Sequence, residues 1–145
     1  CGEDVGTISV KSSELKGINI DSKLSPLLID EYPILSIAAT QAKGAMIMRG
    51  LGELRHKESD RIKSIVLNLR KLGFNVKEKN DNITIRHSKT VIKNVKKIRT
   101  YGDHRIAMSF SILNLLYKNK IFIDDKDCIA ISYPKFFQHL KQLLK

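Results

Sequence analysis

Residues 54–61 read Leu-Arg-His-Lys-Glu-Ser-Asp-Arg, which gathers cations and carboxylates just ahead of an amphipathic pattern. On helical spacing Lys57 and Arg61 stand four apart and Glu58 and Arg61 three apart, so all three side chains converge on one turn. A helix N-terminus adds unpaired N–H groups and a positive dipole end, which favours an anion there. The structural alternative is a capped helix start, with Ser59 or Asp60 capping and Glu58 paired to Arg61 on the surface. A second cluster, Tyr101-Gly102-Asp103-His104-Arg105, again sits just before an apolar helix pattern. Arg105 suits a carboxylate gripped through two parallel hydrogen bonds. Taken singly, Asp103 reads as an N-cap and His104 as a packed histidine. No His, Cys and carboxylate spacing suggests a metal, and no glycine-rich phosphate loop or nucleophile elbow is present.

The elements that carry these clusters alternate. Residues 7–10 and 17–20 read as strands separated by turn residues. Asp30 precedes a helix over 31–42, followed by Gly44, and its apolar residues wrap enough of the circumference to predict burial on more than one side. A strand over 45–48 follows. The helix expected over 57–72 is amphipathic through Ile62, Ile65, Val66, Leu69 and Leu72, and Gly73 ends it. Residues 76–79 and 83–86 read as a hairpin turned by Asn80, Asp81 and Asn82. The pattern then restarts with a strand over 91–98, a helix from Asp103 to Tyr117, a strand over 121–123 and a helix over 134–144. Displaced by 73 residues, Asp30 falls on Asp103, Ser36 on Ser109, Ile37 on Phe110 and Ser59 on Ser132. The chain therefore reads as strand, helix, strand, helix and two strands, then the same again without the last pair. The second unit is expected to be completed by chain beyond these residues, since sheets seldom leave an edge unpaired.

Composition sets the outer limits. The 145 residues, 42% hydrophobic and 28% charged, suffice for one core and require no second domain. The longest apolar stretch, 106–117, is too short to span a bilayer, so no membrane association is expected. The N-terminus Cys-Gly-Glu-Asp lacks a Met and any leader pattern, and reads as chain cut from something longer. Cys1 and Cys128 lie far apart, which fits a reducing, cytoplasmic setting. A formal charge of +11 selects anionic partners without choosing among nucleic acid, lipid and phosphorylated metabolites. No aromatic stacking pair, GXXG loop or basic recognition helix supports a nucleic-acid module, so nucleic acid is not an expected partner.

Taken in order, Leu28-Ile29-Asp30-Glu31-Tyr32-Pro33, Lys57-Glu58-Ser59-Asp60-Arg61, Asp103-His104-Arg105 and Ser132-Tyr133-Pro134 resemble the EPSP synthase (3-phosphoshikimate 1-carboxyvinyltransferase) family. The resemblance runs from about Gly2 to the end, with KESDR and DHR its most specific parts. UDP-N-acetylglucosamine enolpyruvyl transferases share fold and chemistry but fit these two motifs less well. The resemblance implies an α/β (α+β) fold of repeated βαβαββ units with helices inside and sheets outside, an inside-out α/β barrel, here incomplete. Residues 1–145 would be roughly two units of the family's C-terminal domain, with the N-terminal domain absent. It further implies enolpyruvyl transfer from phosphoenolpyruvate to the 5-hydroxyl of shikimate 3-phosphate, a step toward chorismate and the aromatic amino acids, with no cofactor and no metal. Asp30 would accept the hydroxyl proton and hold the ring, and Glu58 would exchange a proton with the phosphoenolpyruvate methylene. Lys57, Arg61 and Arg105 would bind substrate. His56 stands where the family usually has Val, and Ile131 where some members have Lys, so that Lys contact is not carried over. Because the family closes two domains over its substrates, the chain alone is expected to be inactive; the alternatives are an inactive remnant or a basic nucleic-acid-binding α/β module.

Overall fold

The computed structural model describes residues 2, 5–90, 92–118 and 120–144. Cys1, and Val91 at the start of an expected strand, lie outside the described residues. The first unit comprises β1 (Asn19–Ile20), α1 (Tyr32–Gln41), β2 (Ala45–Met48), α2 (Arg61–Leu72), β3 (Asn75–Lys79) and β4 (Asn82–Arg86); the second comprises β5 (Lys96–Ile98), α3 (His104–Leu116), β6 (Ile121–Ile123) and α4 (Phe136–Leu143). In the first unit β1 runs parallel to β2, and β2 and β3 flank β4 antiparallel, giving the order β1-β2-β4-β3. The second unit repeats only the parallel step, β5 beside β6. Among the described residues nothing pairs with β6 as β4 pairs with β2.

The units also share a detail that spacing did not disclose. A 3₁₀ turn follows the second strand of each, at Gly52–His56 and Asp127–Ile131. Both central helices are buried and mutually packed, and their hydroxyls bond backward within the helix: Ser36 to the Tyr32 carbonyl, Thr40 to that of Ile37, and Ser111 to that of Ala107. This satisfies polar groups inside an apolar layer. The sheet faces alternate, with Met46, Met48, Val76, Ile83 and Ile85 turned in against the helices. Gly17 lies so close to the Ala45 backbone that a Cβ would come within 2.3 Å of its carbonyl oxygen.

Several expectations need correction. Residues 7–10 form no strand, and Val5, Ile8 and Val10 are at least 88% exposed. Strand propensity without a neighbour to pair with gains little. The expected strands 17–20 and 91–98 contract to β1 and β5, and the helix expected over 134–144 is α4, none of whose residues is buried. The helix expected from residue 57 starts at Arg61, because Asp60 is its N-cap and accepts the Lys63 N–H. Lys57 and Glu58 therefore lie in loop rather than on a helical turn. At the far end of α2 the reading holds, with Gly73 at φ 95 and its N–H donating to the Arg70 carbonyl. The hairpin reading also holds, with Asn80 and Asp81 both at positive φ. Asp30 and Asp103, paired by the repeat, diverge: Asp103 caps α3, while the residue at the N-cap of α1 is Glu31, whose side chain makes no capping bond.

Candidate functional site

Three loops bring the chemistry-bearing residues together at the N-terminal ends of α1, α2 and α3. The loop before α2 is braced by Arg55, which bonds Asp60, Glu78 of β3 and Asp81 of the hairpin turn. Those carboxylates, Glu78 and Asp81 foremost, raise the Arg55 pKa. Fastening the loop at both ends fixes the direction in which Lys57 and Glu58 leave the backbone. The loop before α3 turns through Tyr101 and Gly102, at φ 56 and φ 73, and ends in Asp103. A non-glycine residue in that conformation is held by its surroundings.

Arg61 sits at the centre of the cluster. Its side chain is 1% exposed, and its three nitrogens meet three carboxylates: Nε donates to Asp103 at 2.8 Å, Nη1 to Asp30 at 2.8 Å and Nη2 to Glu58 at 2.5 Å. Burial alone would lower its pKa, but the bond to and charge of Asp103, with Asp30 and Glu58, raise it, so the guanidinium stays charged. Asp30 also faces Lys57 Nζ at 3.7 Å and Arg105 Nη2 at 3.3 Å, and Arg105 Nη1 donates to the Asp30 backbone carbonyl at 3.0 Å. Burial pulls the Asp30 carboxyl upward; the Arg61 hydrogen bond and the charges of Arg105, Lys57 and Arg61 outweigh it and hold the pKa below the usual carboxylate value. Asp103 is fully buried, takes bonds from Arg61 Nε and Ser59 on one oxygen and from Arg61 Nη2 and the Arg105 and Ile106 N–H groups on the other, and is left with no unsatisfied atom.

The five residues singled out in the sequence, Asp30, Lys57, Glu58, Arg61 and Arg105, are thus members of one ion-pair cluster. Asp30 and Arg105 open onto a cavity of ≈ 170 Å³ walled by Ile34, Met108, Ile112 and Phe136. Glu58 opens onto another, of ≈ 230 Å³, with Lys63, Ser64 and Tyr101. Arg61 lines neither and is turned onto the carboxylates between them. His56 is exposed beside the cluster and Ile131 is 81% exposed. Asp103 and Ser59 are cluster members that spacing could not assign: the capping role of Asp103 was legible, but its bond to a residue 42 positions earlier was not. Among the described residues no group of three or more potential metal ligands gathers, and no helix is long and apolar enough to cross a membrane.

Repeated units with inner helices, outer sheets and an acid–cation cluster at the helix starts define the class as the inside-out α/β fold of the enolpyruvyl transferases. Residues 2–140 match the family model for EPSP synthase (3-phosphoshikimate 1-carboxyvinyltransferase), and the chain belongs to that family. It is 45% identical over 144 residues to the 3-phosphoshikimate 1-carboxyvinyltransferase of Sulfurihydrogenibium sp., covering 99% of this chain and 33% of that one. It is 48% identical to that of Persephonella marina over 143 residues, covering 98% of this chain and 33% of that one. A solved EPSP synthase from Acinetobacter baumannii superposes with a TM-score of 0.77 at 34% identity, covering 89% of this chain and 30% of that chain. The chain spans about a third of the length of the curated relatives it matches.

Proposed function

We propose that these residues form roughly two units of the C-terminal domain of a cytoplasmic enzyme that transfers the enolpyruvyl group of phosphoenolpyruvate to the 5-hydroxyl of shikimate 3-phosphate. The observation that carries this is that one guanidinium, Arg61, holds two carboxylates, Asp30 and Glu58, close together at the helix starts. The reaction needs two such groups, acting at separate atoms of one substrate complex. The hydroxyl oxygen bonds to C2 of phosphoenolpyruvate while its proton goes to Asp30, and Glu58 delivers a proton to the methylene carbon. The tetrahedral intermediate then loses phosphate, assisted by Lys57 at the bridging oxygen, and the new methyl group returns a proton to Glu58. A base and an acid acting at separate atoms contribute on the order of 10²- to 10⁴-fold each, and fixed cations stabilise the charge that develops.

A carboxylate held by three cations is a weak base, which sets a condition on the mechanism. With four carboxylates, Asp30, Glu31, Glu58 and Asp103, facing Lys57, Arg61 and Arg105, the empty cluster carries no excess of cations. Anionic substrates drawn to Lys57 and Arg105 loosen both from Asp30 and return its basicity, while Arg61 stays in place. Residues supplied by the other two thirds of the relatives' length complete the site, so residues 1–145 alone are inactive. Phosphate release from the two substrates by the full-length protein tests this: Asp30→Asn and Glu58→Gln each abolish most turnover while leaving the melting temperature nearly unchanged. Wild-type turnover in either variant, or robust turnover by residues 1–145 alone, refutes the proposal.

A further inference from the structure

Arg61 and Arg105 leave the backbone from helices, whereas Lys57 and Glu58 leave it from loop, so something other than helical geometry must aim them. That loop is closed at its neck. Arg55 Nη1 donates to one oxygen of Asp60 at 3.1 Å, while the other Asp60 oxygen caps α2 through the Lys63 N–H. Residues 56–59 therefore hang between two side chains bonded to each other. The neck is in turn fastened to the β3–β4 hairpin, since Arg55 Nε donates to Asp81 at 2.7 Å and Nη2 to Glu78 at 2.6 Å. Two bonds run alongside, from the Leu51 N–H to the Asp81 carbonyl and from the Gly50 N–H to the Asn82 side chain, each at 2.9 Å. An isolated exposed ion pair fixes little, but a half-buried guanidinium with all three nitrogens on three carboxylates is a network with a defined direction. Arg55, Glu78 and Asp81 line neither of the two hollows described above.

We propose that Arg55 is a positioning residue that aims Lys57 and Glu58, and that the β3–β4 hairpin, through Glu78 and Asp81, governs the proton transfers from outside both hollows. The inference rests on the roles given to Lys57 and Glu58 above. In the empty site the tips of these two side chains also have partners, Asp30 for Lys57 and Arg61 for Glu58. Once Lys57 is drawn to an anionic substrate it exchanges that partner, and its loop is what keeps it in place. Arg55→Lys retains the charge but not the planar fork that reaches three carboxylates; Arg55→Gln removes both.

The test uses the full-length protein, assayed well below the melting temperature of each variant. It compares kcat, KM for both substrates and deuterium uptake into the phosphoenolpyruvate methylene for Arg55→Gln, Arg55→Lys, Glu78→Ala and the double variant of Arg55→Gln with Glu78→Ala. A misplacement of about 1 Å costs on the order of 10²-fold in rate, so kcat and deuterium uptake are expected to fall together by about that factor in Arg55→Gln, with both KM values changing far less. Arg55→Lys should lie between Arg55→Gln and wild type. Because Glu78 acts through Arg55, the double variant should be no slower than Arg55→Gln alone. A lowered melting temperature with wild-type kcat, a loss carried by KM, or multiplicative losses in the double variant overturns the proposal. If Arg55→Gln does not accumulate as folded protein, Glu78→Ala decides: a reduced kcat at unchanged KM supports the proposal, and a wild-type kcat overturns it. Asp30→Asn and Glu58→Gln serve as controls: wild-type turnover in those refutes the functional reading beneath the inference, whereas their loss beside a normal Arg55→Gln refutes the inference alone.

Discussion

Replacing Arg61 by Met removes the cation at the centre of the cluster and keeps a side chain of similar length. Its three partners do not suffer equally. Asp30 retains Lys57 and Arg105, and Glu58 is 49% exposed and turns to water, so neither accounts for much. Asp103 is different: it is 0% exposed, loses its only charged partner among the described residues, and keeps the Ser59 hydroxyl and two backbone N–H groups. Removing one member of a buried ion pair typically costs about 3–5 kcal/mol, because the other charge is left uncompensated. Against a domain stability of roughly 5–15 kcal/mol, that is a large fraction. Urea denaturation followed by circular dichroism at neutral pH should give this loss for Arg61→Met. Adding Asp103→Asn removes the stranded charge, and the double variant should recover more than half of the deficit. A cost below about 1 kcal/mol, or a double variant less stable than Arg61→Met, would show that the pair is not the buried hub described.

Asp30 should titrate below the ordinary carboxylate range in the empty protein, and saturating phosphoenolpyruvate with shikimate 3-phosphate should raise its pKa; carbon-detected NMR of the Asp30 carboxyl reports both, and a pKa that falls on binding contradicts the condition placed on the base. Because its folded pKa is lowered, Asp30 contributes stability that is fully present above the unfolded value and lost as pH falls through the folded one. Arg105→Ala should therefore move the acid limb of the stability profile to higher pH. Cys128 is buried, and burial first, then the charges of Asp125, Asp103 and Asp124, pushes its thiol up to about 11. It should resist iodoacetamide at pH 8 in the folded protein and react once unfolded. Gly17→Ala should disturb the approach of the chain to β2 and lower the melting temperature by several degrees, as expected when a backbone contact must open.

Helices and the hairpin were legible because periodicity and punctuation agreed: Leu69 and Leu72 before Gly73, and Asn80-Asp81 at positive φ, carry their own signals. The repeat was legible in the buried helices, where Ser36 and Ser109 are both buried, as are Ile37 and Phe110, but not at the helix starts, where Asp30 and Asp103 part. Residues 7–10 failed because a strand is defined by its neighbour, which local pattern does not supply. In the site, the motifs identified the participants but misjudged their geometry. Lys57 and Glu58 do not converge with Arg61 through a helical turn. Asp60 takes the cap and displaces them into a loop, where Arg55 and the hairpin carboxylates fix them instead. The role of Asp103 was hidden for the same reason, since its key contact crosses from α3 to α2.

Solvent deuterium decides most directly whether the two carboxylates divide acid and base between them. Full-length protein with phosphoenolpyruvate and shikimate 3-phosphate in D₂O should incorporate deuterium into the recovered methylene, and Glu58→Gln should abolish that incorporation. Undiminished incorporation in Glu58→Gln would contradict the division of labour around Arg61.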